Sequence, residues 1–501
     1  MRKYISFLLS ICMVLSCFGS ATSVYATEVP VTTSESSEPQ IDAKTYFDLA
    51  VRLIMSKYKF DVNREEIYRA TLEKLLEEKP ELLEELFKAM FGSLDEHSTY
   101  YTQEELDSFI DNMSGEFCGI GVIISASDKG LLVNTVYDNS PAKEAGIQVG
   151  DVITFVDDFP LAGVDVSIAQ SKILGIENTP VNLTVERSGT SFVSNPVRRK
   201  IVIESGFYQT LENDTIGYIA LDDFHTHAAS FVAEALKAFD EKNITKVIFD
   251  LRNNPGGAVD VMVNISSMFI PSGPAIHFEF KNPLNNRTLY AYNENVKYDL
   301  AVLVNGNSAS ASEAFAAAVQ DTGVGIVIGT TTYGKGTMQN LTNFKIGGGI
   351  KLTEAEFLSP NKRHINKTGV TPDVKVEDKI VEYHNSNYEK ITYDRVIKNG
   401  DTGKDVYAIE ERLYFLGYDI GLPDEIFDEK TQIAIYNFQK ATGLYPYGTC
   451  DITTQLKFEE ILNGNKVVQN DALKKAIDIF VNSDIDEYKL DWTNTESRNT
   501  K

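Results

Sequence analysis

The sequence predicts a multidomain α/β protein, and three features support this fold class. The chain has 501 residues, a length that corresponds to about three or four domains. Between residues 196 and 380, apolar runs of strand length alternate with helical segments, which is typical of an α/β core. Residues 41–112 instead carry apolar side chains at helical spacing and predict a helical N-terminal region.

The overall charge and the cysteine content exclude several classes of function. The formal net charge is −25 at pH 7, which argues against binding nucleic acid or an anionic membrane through bulk charge. Outside the first 26 residues the only cysteines are Cys118 and Cys450, and they fall in different predicted domains. We therefore expect no disulfide scaffold, no metal site, no cofactor and no nucleic-acid partner.

Residues 1–26 have the pattern of an export signal. Arg2 and Lys3 form a basic start, an apolar stretch follows over residues 5–18, and residues 24–26 offer a small-residue cleavage site. The apolar stretch is short for a membrane-spanning helix. The sequence therefore predicts an exported protein of the cell envelope, whether membrane-associated, bound to the cell wall or secreted.

Two alternatives for this segment remain open. In the first, the segment stays uncleaved and serves as a membrane anchor. In the second, Cys17 belongs to a lipoprotein signal. Residues 27–40 are polar and rich in Ser, Thr and Glu, and we interpret them as a flexible linker.

The helical region over residues 41–112 contains two groups of apolar residues at helical spacing. They are Tyr46, Leu49, Leu53 and Ile54, and then Leu75, Leu82, Leu83 and Leu86. A turn-rich segment over residues 93–101 includes His97, which we interpret as a packed turn histidine rather than a catalytic group.

Residues 115–189 carry the motifs of a peptide-binding domain. Residues 117–122 read FCGIGV, residues 140–146 read SPAKEAG, and residues 150–156 read GDVITFV. These motifs resemble those of PDZ domains, which bind a peptide C-terminus as an added strand. The resemblance implies a β-sandwich-like fold.

The same resemblance implies which residues bind the peptide. Gly119, Ile120 and Gly121 form the loop whose N–H groups receive the terminal carboxylate. Leu174 stands where many relatives of the chain have an arginine, so an arginine contact that senses the ligand is missing here or has moved.

The residues from 301 to 339 predict an exposed serine and a lysine among glycines. An apolar strand at 301–304 leads through the turn Asn305-Gly306-Asn307 into the helix-forming run SEAFAAAVQ. Strand, tight turn and helix expose a serine hydroxyl at a helix N-terminus, where backbone N–H groups can hold an oxyanion. A second strand at 325–328 precedes YGKG, which places Lys335 on a turn.

This stretch resembles the C-terminal processing peptidases, a Ser–Lys family. In that family the nucleophile lies in a SASASE-like run, and the lysine lies 25 residues later in a run of the form F/Y-G-K-G-T-x-Q. Position 335 minus 25 is 310, so the resemblance implies Ser310 as the nucleophile rather than Ser308 or Ser312. Lys335 is the implied base, and Gln339 occupies the third catalytic position.

The chemistry of these residues is consistent with that resemblance. A serine hydroxyl needs an adjacent base, and a lysine serves as one only if its pKa falls from about 10.4 towards about 7–8. Burial lowers a lysine pKa, and the sequence has no acid between Thr330 and Phe344. Gln339 can aim the amine without adding charge.

A glycine turn supplies the predicted oxyanion hole. The strand run over residues 246–251 is followed by RNNPGG, and glycine lets backbone N–H groups approach a ligand closely. We expect the N–H of Gly256 or Gly257, together with that of Ala311, to hold the oxyanion. The alternative is an ordinary left-handed turn after a strand.

Two other motifs in the core are rejected as chance matches. Gly329, Gly334 and Lys335 nearly form a P-loop, but Gly336 replaces the hydroxyl residue that would hold Mg²⁺. The S-x-x-K and K-T-G elements at 359–362 and 367–369 are nearly contiguous, whereas penicillin-binding enzymes have them far apart.

Residues 395–460 resemble a small all-α peptidoglycan-binding domain. Gly421-Leu422 with Thr431 recurs as Gly443-Leu444 with Thr453, a period of 22 residues. The resemblance implies binding to peptidoglycan or the cell wall, and a protein-docking module is the alternative. Residues 461–501 follow as one amphipathic helix, 472–481, and a polar tail.

Together these features predict an exported serine endopeptidase that captures protein substrates by flexible, apolar C-terminal tails. The alternative is a catalytically weak scaffold or adaptor that combines a PDZ domain with cell-wall binding. Some relatives form homodimers through their N-terminal helices, and the sequence leaves the stoichiometry of this chain open.

Overall fold

The computed structural model describes residues 43–492, apart from 138, 204, 346, 378, 385–386, 463–465 and 470. The predicted export signal, the linker and the polar tail lie outside the described residues. The chain divides into two compact units, which are residues up to 83 and residues from 84 onwards. None of the helices that the structure describes combines the length and apolar character needed to cross a membrane.

The first unit consists of two helices, α1 (Ala43–Lys57) and α2 (Arg64–Glu78), and a 3₁₀ turn at Pro80–Leu82. Helix α2 begins at an Asn63 cap, whose side chain accepts a hydrogen bond from the N–H of Glu65 at 2.9 Å. No residue of α2 is buried. The prediction of a helical N-terminal region is therefore confirmed, but within this unit the helices build almost no core.

The second unit begins with two helices and a short strand that lead to the PDZ domain. They are α3 (Leu83–Gly92), β1 (Thr99–Tyr101) and α4 (Gln103–Ser114). The predicted PDZ fold follows as a mainly antiparallel sheet in the order β3-β4-β5-β7-β8, with β6 paired to β5. Strand β3 lies at the edge of this sheet. The elements are β2 (Glu116–Gly119), β3 (Val122–Ser127), β4 (Gly130–Val136), α5 (Pro141–Glu144), β5 (Val152–Val156), β6 (Phe159–Pro160), α6 (Val166–Ile173), β7 (Leu183–Arg187), β8 (Thr190–Ser194) and β9 (Arg199–Val202).

Strands β2 and β9 form a two-stranded antiparallel ribbon of their own. This ribbon connects the PDZ sheet to the peptidase core, which starts at β10. The core elements are β10 (Gly206–Leu211), β11 (Ile216–Leu221), α7 (Ala228–Glu241), β12 (Lys246–Asp250), α8 (Val259–Phe269), β13 (Gly273–Phe280), β14 (Arg287–Ala291), β15 (Asp299–Val304), α9 (Ala311–Thr322), β16 (Gly325–Gly329), β17 (Thr337–Asn343), β18 (Gly349–Leu358) and β19 (Val374–Lys375).

The central sheet of the core has the order β10-β11-β12-β15-β16-β19. All neighbours in it are parallel except β10 and β11. Strands β11 and β16 are buried along their whole length, which explains their continuous apolar sequences. A second, antiparallel sheet has the order β1-β18-β13-β14, with β17 also paired to β18. The predicted α/β core is confirmed.

The C-terminal module consists of three helices, followed by a strand and one further helix. They are α10 (Lys404–Phe415), α11 (Glu429–Ala441), α12 (Ile452–Leu462), β21 (Lys466–Gln469), which pairs with β20 (Lys379–Glu382), and α13 (Ala472–Asn482). Helices α10, α11 and α12 share a hydrophobic core around Phe427 and Phe438. The predicted all-α module is confirmed.

The two faces of the central sheet are covered by different parts of the chain. Helices α7, α8 and α9 cover one face with the larger hydrophobic core. The other face packs against Ile433 and Tyr436 of α11 and against residues of α13, such as Leu473 and Phe480. The C-terminal module therefore packs against the peptidase core and closes one side of it.

The topology brings three loops together at one edge of the sheet. The carboxyl ends of β12, β15 and β16, which are neighbouring parallel strands, lead into the glycine turn, the N-terminus of α9 and the turn that carries Lys335. Ligands of open α/β sheets bind at this edge. The fold thus places Ser310, Lys335 and the glycine turn at this edge of the sheet.

Candidate active site

Ser310 lies at the N-cap of α9, directly after the turn that follows β15. Its backbone has φ 58° and ψ −114°, a conformation that is costly for a residue with a side chain and is typical of functional sites. The surrounding structure supports this strain, since the N–H of Ser310 donates to Glu313 Oε2 at 2.8 Å. The serine is half-buried and lines a pocket beside these turns.

The three serines of the SASASE run differ in their surroundings. Ser308 and Ser312 are fully buried. The hydroxyl of Ser308 donates to the carbonyl oxygen of Leu251 at 2.7 Å, and that of Ser312 to the backbone oxygen of Asn254 at 3.0 Å. These two hydroxyls are structural, whereas Ser310 lines the pocket. The geometry therefore distinguishes Ser310 from its neighbours without reference to any family.

Lys335 lies on the turn after β16 and lines the same pocket as Ser310. Its backbone N–H donates to Glu313 Oε2 at 2.8 Å. Burial lowers the pKa of the Lys335 amine, and the positive charge of Lys351 lowers that pKa further. Glu313 and Glu96 act in the opposite direction. The net effect is the direction that a lysine base requires.

Glu313 is the group that the sequence reasoning missed. Its side chain is fully buried. One oxygen accepts the N–H groups of Ser310 and Lys335, each at 2.8 Å. The other accepts the N–H of Gly334 and the hydroxyl of Thr332, each at 2.6 Å. A single carboxylate thus joins the serine turn to the lysine turn.

A signal for Glu313 was present in the sequence. Ser310 and Glu313 have the S-x-x-E spacing of a capping box, in which the glutamate accepts the N–H of the capping residue. That half of the box is formed here. The bonds to Thr332, Gly334 and Lys335 could not be read locally, because those residues lie 19 or more positions away.

The glycine turn approaches Ser310 closely. A side chain at Gly256 would meet Ser310 Cβ at 2.8 Å and the backbone nitrogen of Ala311 at 2.9 Å. The N–H of Gly256 already donates to Asn254 Oδ1 at 2.9 Å. Of the two glycines, the structure therefore favours Gly257 as the oxyanion donor. Ala311 occupies the first helical position, whose N–H has no partner within a helix.

Gln339 lies on β17 and also lines the pocket. Its side-chain nitrogen donates to the hydroxyls of Thr337 and Thr353, at 2.9 and 3.1 Å. Thr353 in turn donates to Asp95 at 3.2 Å. Among the described residues, no hydrogen bond joins Gln339 to the Lys335 amine. The structure brings Gln339 to the pocket but places its amide in a hydroxyl network.

The pocket beside Ser310 has a volume of about 300 Å³. Much of its lining is apolar, including Val259, Met262, Ile276, Met338 and Phe357. Such a surface fits an aliphatic side chain.

Charged groups also line the pocket. Besides Lys335 they are Lys351 and Asp223. Lys351 Nζ lies 5.5 Å from the ring centre of Tyr101 and 5.1 Å from that of Phe109. Burial, with a further contribution from Asp222, raises the pKa of Asp223 to about 7. Neither Lys351 nor Asp223 was singled out from the sequence.

Of the predicted peptide-binding residues, Gly119 is the last residue of the ribbon strand β2 and pairs with Arg199, while Ile120 and Gly121 form the connection to the edge strand β3. Gly121 has φ 76°, and a side chain there would meet Ser140 Cβ at 2.5 Å. The carbonyl oxygens of Ile120 and Gly121 accept hydrogen bonds from Ala142 and Tyr137 at 2.9 and 3.0 Å. The loop is thus tied to the PDZ sheet on its carbonyl side and leads into an edge that can accept a strand.

Comparison with known protein families identifies the three domains. Residues 215–376 match "Peptidase family S41", residues 118–192 match "PDZ domain", and residues 402–455 match "Putative peptidoglycan binding domain". These matches fall on the three regions in which the sequence motifs lie.

Curated relatives cover most of the chain. The carboxy-terminal processing protease CtpA of Bacillus subtilis is 32% identical over 405 residues, which are 79% of this chain and 84% of that protein. A "Probable CtpA-like serine protease" of Staphylococcus saprophyticus is 32% identical over 389 residues, or 76% of this chain and 78% of that protein.

The solved structures to which the chain shows similarity include the photosystem II D1 C-terminal processing protease. It is 24% identical, with a TM-score of 0.40, and the match covers 67% of this chain and 94% of that one.

Proposed function

The chain belongs to the family of CtpA-like carboxy-terminal processing serine proteases with a PDZ domain and a peptidoglycan-binding domain, and from this premise we propose that it is an exported endopeptidase with a Ser310–Lys335 dyad. The observation that carries this proposal is the Glu313 carboxylate, which bonds to the backbone of both residues beside an apolar pocket. A shared buried anchor holds the two groups in a fixed relation.

In the proposed mechanism, the Ser310 hydroxyl attacks the carbonyl carbon of the scissile amide while the neutral Lys335 amine accepts its proton. The N–H groups of Gly257 and Ala311 stabilise the oxyanion of the tetrahedral intermediate. Lys335 then returns the proton to the leaving amine. Water hydrolyses the acyl-enzyme on Ser310 and restores the free serine.

This proposal is tested by incubating the full chain with an unfolded protein and identifying the products by mass spectrometry. We expect internal cleavage after residues with small or aliphatic side chains, because the pocket beside Ser310 is apolar. Cleavage that persists unchanged in the Lys335→Ala variant would contradict the dyad.

A second candidate function is a catalytically weak scaffold that combines the PDZ domain with cell-wall binding. The strained backbone of Ser310 argues against it, because strain of this kind persists where it serves a function. Reaction with an active-site-directed acylating probe distinguishes the two. Labelling of Ser310 rejects the scaffold, and an unlabelled Ser310 in a folded protein supports it.

For substrate capture, we propose that the PDZ domain binds flexible apolar C-terminal tails along the edge of β3, with the carboxylate at Gly119, Ile120 and Gly121. The support is the edge position of β3 and the close backbone approach at Gly121. Peptides that end in a free carboxylate should bind the full chain, and the same peptides with an amidated C-terminus should not. Equal affinity for both forms would reject the assignment of this loop.

For localisation, we propose export to the cell envelope and retention at the wall through residues 395–460. The support is the basic and apolar pattern of residues 1–26 and the family match of the module. Sedimentation with purified peptidoglycan tests the wall binding, since the full chain should pellet with it. N-terminal sequencing of the envelope fraction shows whether cleavage occurs after Ala26, and an intact N-terminus would indicate an anchor.

A homodimer through the N-terminal unit is the remaining proposal. Within that unit the structure describes only Val51 as buried, while many large apolar side chains are exposed. They include Phe47, Leu49, Leu53, Ile54, Met55 and Tyr58. A second copy can cover this surface. A monomeric mass by light scattering, at concentrations up to tens of micromolar, would contradict the proposal.

A further inference from the structure

Part of one face of the PDZ sheet, on β3 and β4, is buried although it does not belong to the PDZ core. Residues alternate between the faces of a strand, and Ile124 packs with the PDZ core while Ile123 does not. Nevertheless Ile123 is only 9% exposed, and Ser125 and Asn134 are each 6% exposed. Something outside the PDZ domain covers this face.

The covering element is the loop between α11 and α12 of the C-terminal module, residues 442–451. Leu444, Tyr445 and Tyr447 of this loop enclose a small space together with Ile123 and Asn134 of the PDZ sheet. The hydroxyls of Tyr445 and Tyr137 lie 2.7 Å apart and form a hydrogen bond. Burial raises the pKa of the Tyr447 phenol, whereas the side chain of Thr135 on β4 lowers it. The contact combines apolar packing with hydrogen bonding.

Helix α11, which leads into this loop, is itself fixed to the peptidase core. The Lys440 amine donates to the carbonyl oxygen of Leu221 at 2.7 Å and lies 3.2 Å from Asp222. Asn437 hydrogen-bonds to Tyr218, whose hydroxyl donates to Asp250 at 2.8 Å. These contacts lie at the ends of β11 and β12, next to the glycine turn. The loop therefore projects from a rigid base.

The point where the three parts meet is next to the ribbon. A cavity of about 400 Å³ is lined there by Gly115 and Ile203 at the ends of the ribbon, Asp223 of the core, and Lys440 and Leu444 of the module. The PDZ sheet is also linked to the core by the two-stranded ribbon, and such a ribbon alone is only marginally stable. Small contacts between domains usually permit relative motion.

We propose that the C-terminal module has a second function as an internal docking platform that fixes the position of the PDZ domain on the peptidase core. The functional half of this inference rests on the proposed capture of C-terminal tails. A tail bound to a docked PDZ domain is presented to Ser310 from a defined distance and therefore at a high effective concentration. A PDZ domain that moves on the ribbon presents the same tail less efficiently.

The docking itself is tested without any activity assay, by hydrogen exchange of the full chain. The variant combines Tyr445→Ala with Tyr447→Ala, and the control is Tyr414→Ala, which alters an exposed tyrosine elsewhere in the module. We expect exchange in β3, β4 and the ribbon to accelerate by about tenfold or more in the double variant, with α10 unchanged. Unchanged exchange in β3 and the ribbon would overturn the docking.

A second variant, on the PDZ side of the contact, controls for the possibility that the tyrosine changes unfold the module locally. Ile123→Thr alters the PDZ side of the same contact and leaves the module sequence intact. If the two sides form one contact, combining Ile123→Thr with the tyrosine changes accelerates exchange little more than either change alone. Fully additive effects would mean that the two sides are independent and would overturn the docking.

The functional half is tested with two substrates that share one cleavage site. One ends in an apolar C-terminal tail, and the other has the same tail amidated. In the double tyrosine variant we expect KM for the free-tail substrate to rise about five- to tenfold, with kcat within about twofold and the amidated substrate unaffected. Faster exchange with an unchanged KM would overturn tail presentation. Absence of all cleavage, even in the unaltered chain, would refute the proposed peptidase while the exchange result still decides the docking.

Discussion

The serine and lysine turns differ from the glutamine strand in how they are held. Ser310 and Lys335 are both bonded through their backbones to one buried carboxylate, Glu313. Gln339 is held by the hydroxyls of Thr337 and Thr353, on a different sheet. The first arrangement resists displacement because a buried charge must keep its partners, whereas hydroxyls can rotate to other partners. The difference predicts that the three groups respond unequally to mutation.

The largest effect is expected at the lysine base. Lys335→Met removes the proton acceptor while keeping the length of the side chain, so cleavage of an unfolded protein should fall by about 10³-fold or more. The control is Lys345→Met, an exposed lysine on the turn between β17 and β18, and its activity should stay unchanged. Rates of product formation at saturating substrate provide the measurement. Comparable losses in both variants would show that the effect is not specific to the dyad.

The second-largest effect is expected for Glu313→Gln, which should lower both activity and stability. In the wild-type protein the two carboxylate oxygens accept four hydrogen bonds, from Ser310, Gly334, Lys335 and Thr332. The substitution replaces one of these oxygens by an NH₂ group, which donates and cannot accept. At least one pair of buried groups loses its bond, which costs about 2–4 kcal/mol of the free energy of unfolding. Misplaced catalytic groups should lower kcat by about 100-fold. Urea unfolding and steady-state kinetics measure the two effects, with the partly exposed Glu354→Gln as control.

If Glu313→Gln lowered stability but left kcat intact, the carboxylate would be structural only. The contrast between the two regions would then have no catalytic meaning.

The pH profile sharpens the account of Lys335. The base must be neutral, so kcat/KM rises with pH through the folded-state pKa of Lys335 and then levels off. Because Lys351 lowers that pKa, Lys351→Gln should move the rising limb to higher pH, and Lys351→Arg should leave it in place. Rates over pH 5–10 with a neutral substrate test this expectation. If the rising limb of Lys351→Gln stays at the same pH, Lys351 does not contribute and burial alone lowers the pKa of Lys335.

The smallest effect is expected at Gln339. Because its amide bonds to threonine hydroxyls rather than to the lysine amine, Gln339→Ala should lower kcat by about tenfold or less. Thr353→Val removes one of those hydroxyls and should have a similar effect. A loss in Gln339→Ala as large as that in Lys335→Met would instead show that Gln339 bonds to the amine once substrate is bound.

The sequence predicted the elements that carry the site because their signals are local. The apolar runs at 301–304 and 325–328 became β15 and β16, and SEAFAAAVQ became α9, which begins at Ala311. The wholly buried face of α9 follows from its alanines, which let it pack closely under the sheet. The choice of Ser310 and Lys335 came from the family resemblance, and the two residues lie at the ends of the neighbouring strands β15 and β16.

Long-range contacts escaped the sequence analysis. The sequence has no acid between Thr330 and Phe344. Nevertheless, the carboxylate of Glu313, 22 residues earlier in the chain, accepts the backbone N–H of Lys335. The link from the C-terminal module to the PDZ sheet spans 308 residues between Tyr137 and Tyr445. Near Leu174, the guanidinium of Arg198 reaches the carbonyl oxygen of Ile173 at 2.7 Å, another pairing that no local pattern indicates.

The most direct test of the central claim is cleavage of an unfolded protein by the full chain, compared with the Ser310→Ala variant. The account predicts that the unaltered chain cleaves the protein and that Ser310→Ala does not, while both proteins unfold at the same temperature. Equal cleavage by both would contradict the assignment of Ser310 as the nucleophile and, with it, the Ser310–Lys335 mechanism.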